Sequence, residues 1–278
     1  MKNDIRILGI VVLYNFDDEV VNNIKTYCSY CDKIIAIDNS ENKCENSVKK
    51  LKEIKNLEYL SLDRNYGIAK ALNVGMQYAI KNEYKWALTM DQDSKFNYNI
   101  INEYFKTLKN SILDDVAVIS PNYYFDRKKN KMYNGYRELQ YTMQSGNLIN
   151  VEIYKKIGEF KEEFFIDGVD YEYCIRANKE KYKVVECGKA ILYHKPATTK
   201  KTFFGFKYGY CNSIRIYYQV RNLLWISKKY CNFKMILIVM YKLFKILFLF
   251  DDKSEYLKMF KLGVKDFKKD RLGKLIDE

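Results

Sequence analysis

The chain is poor in the residues that break regular structure: 2 prolines and 12 glycines in 278 residues, with no internal repeat. That scarcity excludes collagen-like, linker-rich and low-complexity architectures. It also lacks a long apolar run. Met235 to Phe250 is the most apolar stretch, but it spans only 16 residues and contains Lys242 and Lys245. A bilayer-spanning helix needs roughly 20 apolar residues. The start, Met1-Lys2-Asn3-Asp4, leads into a strand-like run without a secretory apolar region. The 7 cysteines are odd in number and scattered, which fits a reduced, cytoplasmic compartment rather than a disulfide framework. Cys28-x-x-Cys31 lies in a helix-like stretch with no matching second pair, so it reads as structural.

What the chain does have is 48% hydrophobic and 30% charged residues, the balance of a globular protein. Its net charge of +13 is unevenly placed: from Lys195 onward there are 19 Lys and Arg against 7 Asp and Glu. A basic region of this kind suits an anionic membrane face, a nucleic acid or a polyanionic substrate.

Short apolar runs at Ile7–Leu13, Lys33–Asp38, Leu57–Leu62 and Trp86–Met90 alternate with amphipathic stretches at 18–30, 45–54 and 67–84. That alternation predicts an α/β fold with a mostly parallel sheet covered by helices on both faces. Ligands in such sheets bind beyond the carboxyl ends of strands, where Asp38 and Asp91 stand. Further along, the pattern predicts a helix at 98–111 and a strand at 116–120. A polar, tyrosine-rich stretch follows at 122–142, then a strand at Ser145–Ile149 and helices at 152–157 and 170–180. Strands at 182–187 and 190–194 come next, with helices from Asn212 onward. Lys242 and Lys245, three apart, share one helix face and leave the rest apolar. That form fits an interfacial helix, a helix packed on the main domain, or one packed on a second subunit.

Asp91-Gln92-Asp93 carries the chemistry. Side chains alternate along a strand, so Asp91 and Asp93 point the same way, and two like charges there call for a cation. Taken alone, two acidic residues in a turn explain the pattern equally well. Asp170 opens a helix, where an aspartate also serves as a cap. His194 is the only histidine and ends an apolar strand.

Taken together, these segments resemble the inverting family-2 glycosyltransferases of GT-A fold, and within them the bacterial rhamnosyltransferase-like group. The matching pieces, in the family's order, are Val11-Val12-Leu13-Tyr14-Asn15, Ile37-Asp38-Asn39-Ser40 and Arg64 to Gly75, then Asp91 to Ser94 and Ser145 to Ile149. Phe164 to Ala177, His194 and Tyr217 to Asn222 complete the set. The resemblance spans roughly residues 5–225. It implies that the backbone of Val12, Leu13 and Tyr14, with Asp38, holds the nucleoside. Asn65, Gly67, Lys70, Asp91, Gln92, Ser145 and Gly146 would line the donor site, with Arg221 near the diphosphate or acceptor. Asp93 and His194, with Asp91 as a further candidate, would bind Mn2+ or Mg2+, and Asp170 would be the general base.

The implied partners are a dTDP- or UDP-linked sugar donor, a lipid-linked oligosaccharide or polysaccharide acceptor and an anionic membrane surface; a homodimer is a further option. Residues 1–210 would form the catalytic domain and 211–278 a basic helical extension. The processive synthases' Gln-x-x-Arg-Trp motif is absent. A sugar nucleotidyltransferase would carry a glycine-rich loop after the first strand, where this chain reads Tyr14-Asn15-Phe16-Asp17-Asp18. A purely nucleic-acid-binding protein would need aromatic clustering, but the 26 tyrosines are spread throughout.

Overall fold

The computed structural model describes residues 5–108, 113–124, 131–193, 198–202, 205 and 207–275. Strand β1 (Ile7–Leu13) is apolar at every position but Gly9, and all seven of its residues are buried. A strand of that composition belongs in the middle of a sheet covered on both faces. It pairs in parallel with β2 (Lys33–Asp38) on one side and β4 (Trp86–Asp91) on the other, and β3 (Leu57–Ser61) extends the β2 edge. Beyond β4 come β7 (Asn147–Asn150), β5 (Val116–Tyr124), β8 (Lys183–Tyr193) and β6 (Tyr136–Glu138), in the order β3-β2-β1-β4-β7-β5-β8-β6. Strands β7 and β6 run antiparallel to their neighbours; β5 and β8 pair in parallel.

The period-two alternation of β1 divides the core. Leu8, Ile10 and Val12 join one hydrophobic layer, and Ile7, Val11 and Leu13 join the other. Helix α3 (Ile68–Lys81) covers the first layer with Ala69, Ala71, Leu72, Gly75, Met76 and Ala79. A Cβ on Gly75 would sit 2.6 Å from Cγ2 of Ile10, so glycine sets the helix–strand separation. Helices α1 (Glu19–Lys25), α2 (Glu45–Lys52) and α4 (Ile100–Thr107) lie in the first half of the chain. Helices α5 (Val151–Ile157) and α6 (Val169–Lys179) follow in the second. Three longer helices end the fold: α7 (Ser213–Tyr230), α8 (Phe233–Leu249) and α9 (Lys253–Lys268). Their buried faces, including Ile216, Val220, Ile226, Met235, Val239 and Ile246, merge with the α3 layer into one core.

Two sequence expectations change here. The strands expected at 182–187 and 190–194 are one strand, β8, that shifts register against β5 between Pro121 and Asn122. Gly188, which reads as a break, stays within that strand because the Tyr133 backbone crosses it. A Cβ there would lie 2.3 Å from the Tyr133 carbonyl oxygen. The segment after β8 also forms a two-stranded hairpin, β9 (Thr198–Lys201) with β10 (Lys207–Tyr210), which the sequence did not announce. Among the described residues, no helix is long and apolar enough to cross a membrane.

Replacing Gly75 with valine should push α3 off β1. Overpacking of this kind costs about 1–3 kcal/mol, so the urea midpoint should fall; an unchanged midpoint would remove the close-packing argument.

Candidate active site

The cleft forms where β1, β2 and β4 end together. Val12 lies opposite Asp91 in the ladder, and Leu13 lies opposite Asp38. Asp91 alternates with Met90, which packs in the opposite layer, so its carboxylate projects toward the α3 side of the sheet. Asp93 is exposed two residues further on. Burial pushes the half-buried Asp91 carboxyl up to about 7, and the negative charges of Asp93 and Asp170 add to the shift. Asp170, from the first turn of α6, therefore stands within electrostatic reach of Asp91. It is itself raised to about 7, chiefly by burial and further by Asp167, against a lowering hydrogen bond from the Tyr171 N–H. Arg215 lowers both carboxyls and is the cation these acids share.

The turn that delivers Asp170 is wound tightly. Phe165, Asp167 and Gly168 all have positive φ, at 64°, 61° and 85°. Such a backbone persists only when its surroundings over-determine it. Helix α7 does this with a polar stripe at helical spacing: Arg215, Gln219 and Asn222. Arg215 donates twice to Asp167, from Nε at 2.9 Å and Nη2 at 2.6 Å, and Gln219 Nε2 donates to Asp167 Oδ1 at 3.1 Å. The fully buried Asn222 amide donates to the carbonyls of Phe164, Ile166 and Asp167 at 2.7–3.0 Å. From the other side, Ile68 N–H donates to Phe165 O at 2.7 Å. That approach requires Gly67, where a Cβ would lie 2.5 Å from the same oxygen. Asn73, buried in α3, ties down the preceding segment by donating to Phe160 O and Glu162 Oε1 while accepting from Phe160 N and Tyr154 OH.

Several expected site residues prove to build the cleft rather than face it. Arg221 is buried, and its donors go to Asn222, Tyr217, Gly273, Glu163 and Phe164. A guanidinium so committed has no hydrogen left for a diphosphate, so that expectation is corrected; Arg215 is the arginine at the acids. Ser145 and Gly146 lie behind the cleft, where Ser145 Oγ accepts the Asp91 N–H at 3.1 Å. Gly146 makes room for Leu192 and Pro121. The backbone expected to grip the nucleoside is likewise engaged. Leu13 O accepts Asn39 N–H, and Gln92 spans Tyr14, accepting its N–H at 2.7 Å and donating to its O at 3.2 Å. Val12 is held within the ladder, which leaves the exposed ring of Tyr14 as the reachable part.

Asp38 has no exposed surface. It accepts Ser40 N–H at 3.0 Å and Tyr59 OH at 2.5 Å. In this arrangement it sets the turn after β2, and contact with a base would require Tyr59 to swing away. Asn65 Oδ1 accepts from Asn39 Nδ2 and Gly67 N, joining the ends of β2 and β3. Lys70 pairs with Glu162 at 3.1 Å. His194 lies outside the described residues.

The donor set suits a hard divalent cation. Asp91 and Asp93 offer carboxylate oxygens, Asp93 is open to further ligands, and their mutual repulsion is what a bound cation relieves. Among the described residues, no group of three or more His, Cys, Asp or Glu converges as a complete metal site. Asp91 and Asp93 would supply two ligands to such a cation, and phosphate oxygens, water or a residue elsewhere would have to complete its shell.

Asn222→Ala would take this donor from the part-buried Ile166 and Asp167 carbonyls, while Phe164 O keeps Arg221 and the Ile166 N–H; an unpaired buried group costs about 1–3 kcal/mol. Thermal stability should drop, and turnover should fall further than nucleotide affinity. Equal losses in both would contradict a role in seating Asp170. Asp170→Asn tests the electrostatics. A carboxyl whose folded pKa of about 7 exceeds its ordinary 3.8 contributes stability that is complete below the ordinary value and is lost as pH rises through about 7. The metal-free variant should therefore melt above the wild type at pH 8 and with it at pH 4. A lower melting point at pH 8 would refute the assigned burial.

Comparison with known proteins identifies the family and the fold. The sequence profile of glycosyl transferase family 2 matches residues 10–169, from β1 to the start of α6. A curated dTDP-rhamnosyl transferase, RfbF of Shigella flexneri, is 27% identical over 246 residues, covering 80% of each chain. Among solved structures, GalNAc-T7 with UDP, GalNAc and Mn2+ superposes with a TM-score of 0.64 at 13% identity. That match covers 97% of this chain but only 57% of the GalNAc-T7 chain. Residues 1–349 of S. aureus TarS give 0.51 at 15% identity, covering 95% and 72%. These structures are GT-A glycosyltransferases, and the sheet described above has that fold. With the family profile covering more than half of the chain, from the first strand to the helix bearing Asp170, the protein is a glycosyltransferase of family 2.

Proposed function

We propose that the enzyme transfers L-rhamnose from dTDP-rhamnose, with inversion, to a hydroxyl of a lipid-linked surface-polysaccharide acceptor. The observation that carries the chemistry is Asp170 standing close enough to Asp91 for its charge to raise the Asp91 carboxyl. The donor is suggested by the printed activity of the Shigella relative. UDP-galactose, UDP-galactofuranose and UDP-N-acetylglucosamine are the competing donors. On this reading residues 1–210 carry the donor site and the base, and Arg215, Gln219 and Asn222 of the helical extension brace them. The enzyme works at the inner face of the cell membrane, held there peripherally by the basic helices of 211–278.

In a single displacement, the acceptor oxygen bonds to the anomeric carbon as the bond to the diphosphate oxygen breaks. The acceptor proton passes to Asp170, and no covalent enzyme intermediate forms. A base whose pKa lies near 7 is suited to that task at neutral pH and contributes about 10²–10⁴-fold. Asp91 and Asp93, together with His194, would hold Mn2+ or Mg2+ against the diphosphate. When bound, the ion stabilises negative charge on the departing phosphate. Arg215, fixed by Asp167, holds a positive charge beside the two acids.

Thermal-shift measurements with nucleoside diphosphates, their sugars and Mn2+ read donor preference directly, since stabilisation follows affinity. dTDP-rhamnose should stabilise most. Asp170→Asn should abolish transfer with nucleotide binding near normal, and wild-type kcat/KM should fall as pH drops through about 7. EDTA should stop turnover. Substantial transfer by the variant would overturn the base assignment, and full activity in EDTA would overturn the metal.

A further inference from the structure

Helix α8 is turned in a way its sequence does not suggest. Lys242 and Lys245 face inward: Lys242 Nζ donates to Gln219 Oε1 at 2.5 Å, and Lys245 Nζ donates to Gly209 O at 2.9 Å. The outer face is apolar instead. Phe233, Leu237, Met240, Tyr241, Phe244, Leu247 and Phe248 are exposed, Phe233 and Phe248 by two thirds, and they repeat at helical spacing along one stripe. Those seven are half of the large exposed hydrophobic residues described in the whole chain. The Phe244 and Phe248 rings touch, with centroids 4.7 Å apart. The helix contains no acidic residue, and Lys234 is its only exposed charge.

Its surroundings decide what covers this face. Lys229 and Lys228, the latter paired with Asp270, precede the helix exposed and Lys234 stands exposed in its first turn, whereas the exposed lysines after it, Lys253 and Lys258, alternate with exposed Asp252 and Glu255. Asp251, at its C-terminal end, is paired with Lys200 at 2.8 Å. A second copy of the chain docked stripe to stripe in parallel would bring two basic N-terminal ends together. An anionic bilayer meets those lysines with opposite charge. A 17-residue helix is about 26 Å long, which suits one lying flat with its apolar side in the acyl boundary.

We infer that the outer face of α8 is the surface on which the enzyme docks to an anionic lipid bilayer, with Lys229 and Lys234 at its N-terminal end gripping the headgroups. This deepens the proposed function by naming the surface that meets the membrane. The inner face of the same helix reaches the catalytic loop, because Lys242 bonds to Gln219 and Gln219 bonds to Asp167. The docked helix and the turn carrying Asp170 are thus one or two side chains apart.

The test is flotation of the full chain with vesicles of phosphatidylcholine alone or mixed with phosphatidylglycerol. It is run beside a Phe244→Ser/Phe248→Ser double variant whose folding is checked by circular dichroism. Both positions are exposed, so the fold should survive. Wild type should float with the phosphatidylglycerol vesicles at least about tenfold better than with phosphatidylcholine alone, and salt should weaken it. The variant should lose about tenfold of that binding. Failure of the wild type to float, or undiminished flotation of the variant, would overturn the inference. So would a wild-type dimer that the substitutions split while vesicle binding is unchanged. Flotation needs neither donor nor acceptor, so its result is independent of whether the rhamnosyl-transfer reading survives.

Discussion

The side-chain amide of Asn222 is the constraint on which the site depends. Between Phe164 and Gly168 the chain takes three left-handed turns of backbone, two of them at non-glycine residues, which an isolated loop would not hold. Asn222 satisfies three carbonyls inside that turn, while Arg215 and Gln219 fasten the Asp167 side chain between them. The result is a rigid ledge from which α6 starts. Its second residue, Asp170, is thereby held toward Asp91 despite the repulsion between two carboxylates in a partly buried cleft. The energy spent on burying those charges is recovered elsewhere, in the core shared by α3, α7 and the sheet.

Helices α7 to α9 are therefore part of the catalytic architecture. Without α7 the Asp167 carboxylate loses its arginine, and without the chain end Arg221 loses the Gly273 carbonyl. Gly273 N–H in turn donates to Glu163 O at 2.6 Å, and Leu275 N–H to Tyr218 OH at 2.8 Å. The last residues described thus close over the same loop that α7 supports. A region that looks in composition like a detachable basic tail is built into the wall behind Asp170.

Much of this was legible beforehand because it is local. Continuous apolar runs gave the four parallel strands, and their ends located Asp38 and Asp91. Spacing put Asp91 and Asp93 together, and family resemblance added Asp170. What was not legible depends on which way a helix is rotated. Arg221 and Arg215 both lie on α7, but positions 215, 219 and 222 form the stripe facing the Asp167 turn. Arg221 instead bonds Tyr217 one turn earlier and reaches the chain end. A polar stripe on an otherwise apolar helix was the available signal. Lys242 and Lys245 misled in the same manner: a charged pair on an apolar helix suggests a solvent face, yet here each lysine finds a buried acceptor and the phenylalanines face out. Sequence also cannot show that the Asn39 N–H reaches the Leu13 carbonyl and that Gln92 spans the Tyr14 backbone.

The measurement closest to the centre of this account is a crystal structure with Mn2+ and an intact nucleoside-diphosphate sugar bound. The diphosphate and ion should rest against Asp91 and Asp93, with the Asp170 carboxylate on the opposite face of the anomeric carbon and the Asn222 bonds to the 164–167 carbonyls unchanged. A sugar bound away from this cleft, or with Asp170 on the same side as the diphosphate, would contradict it.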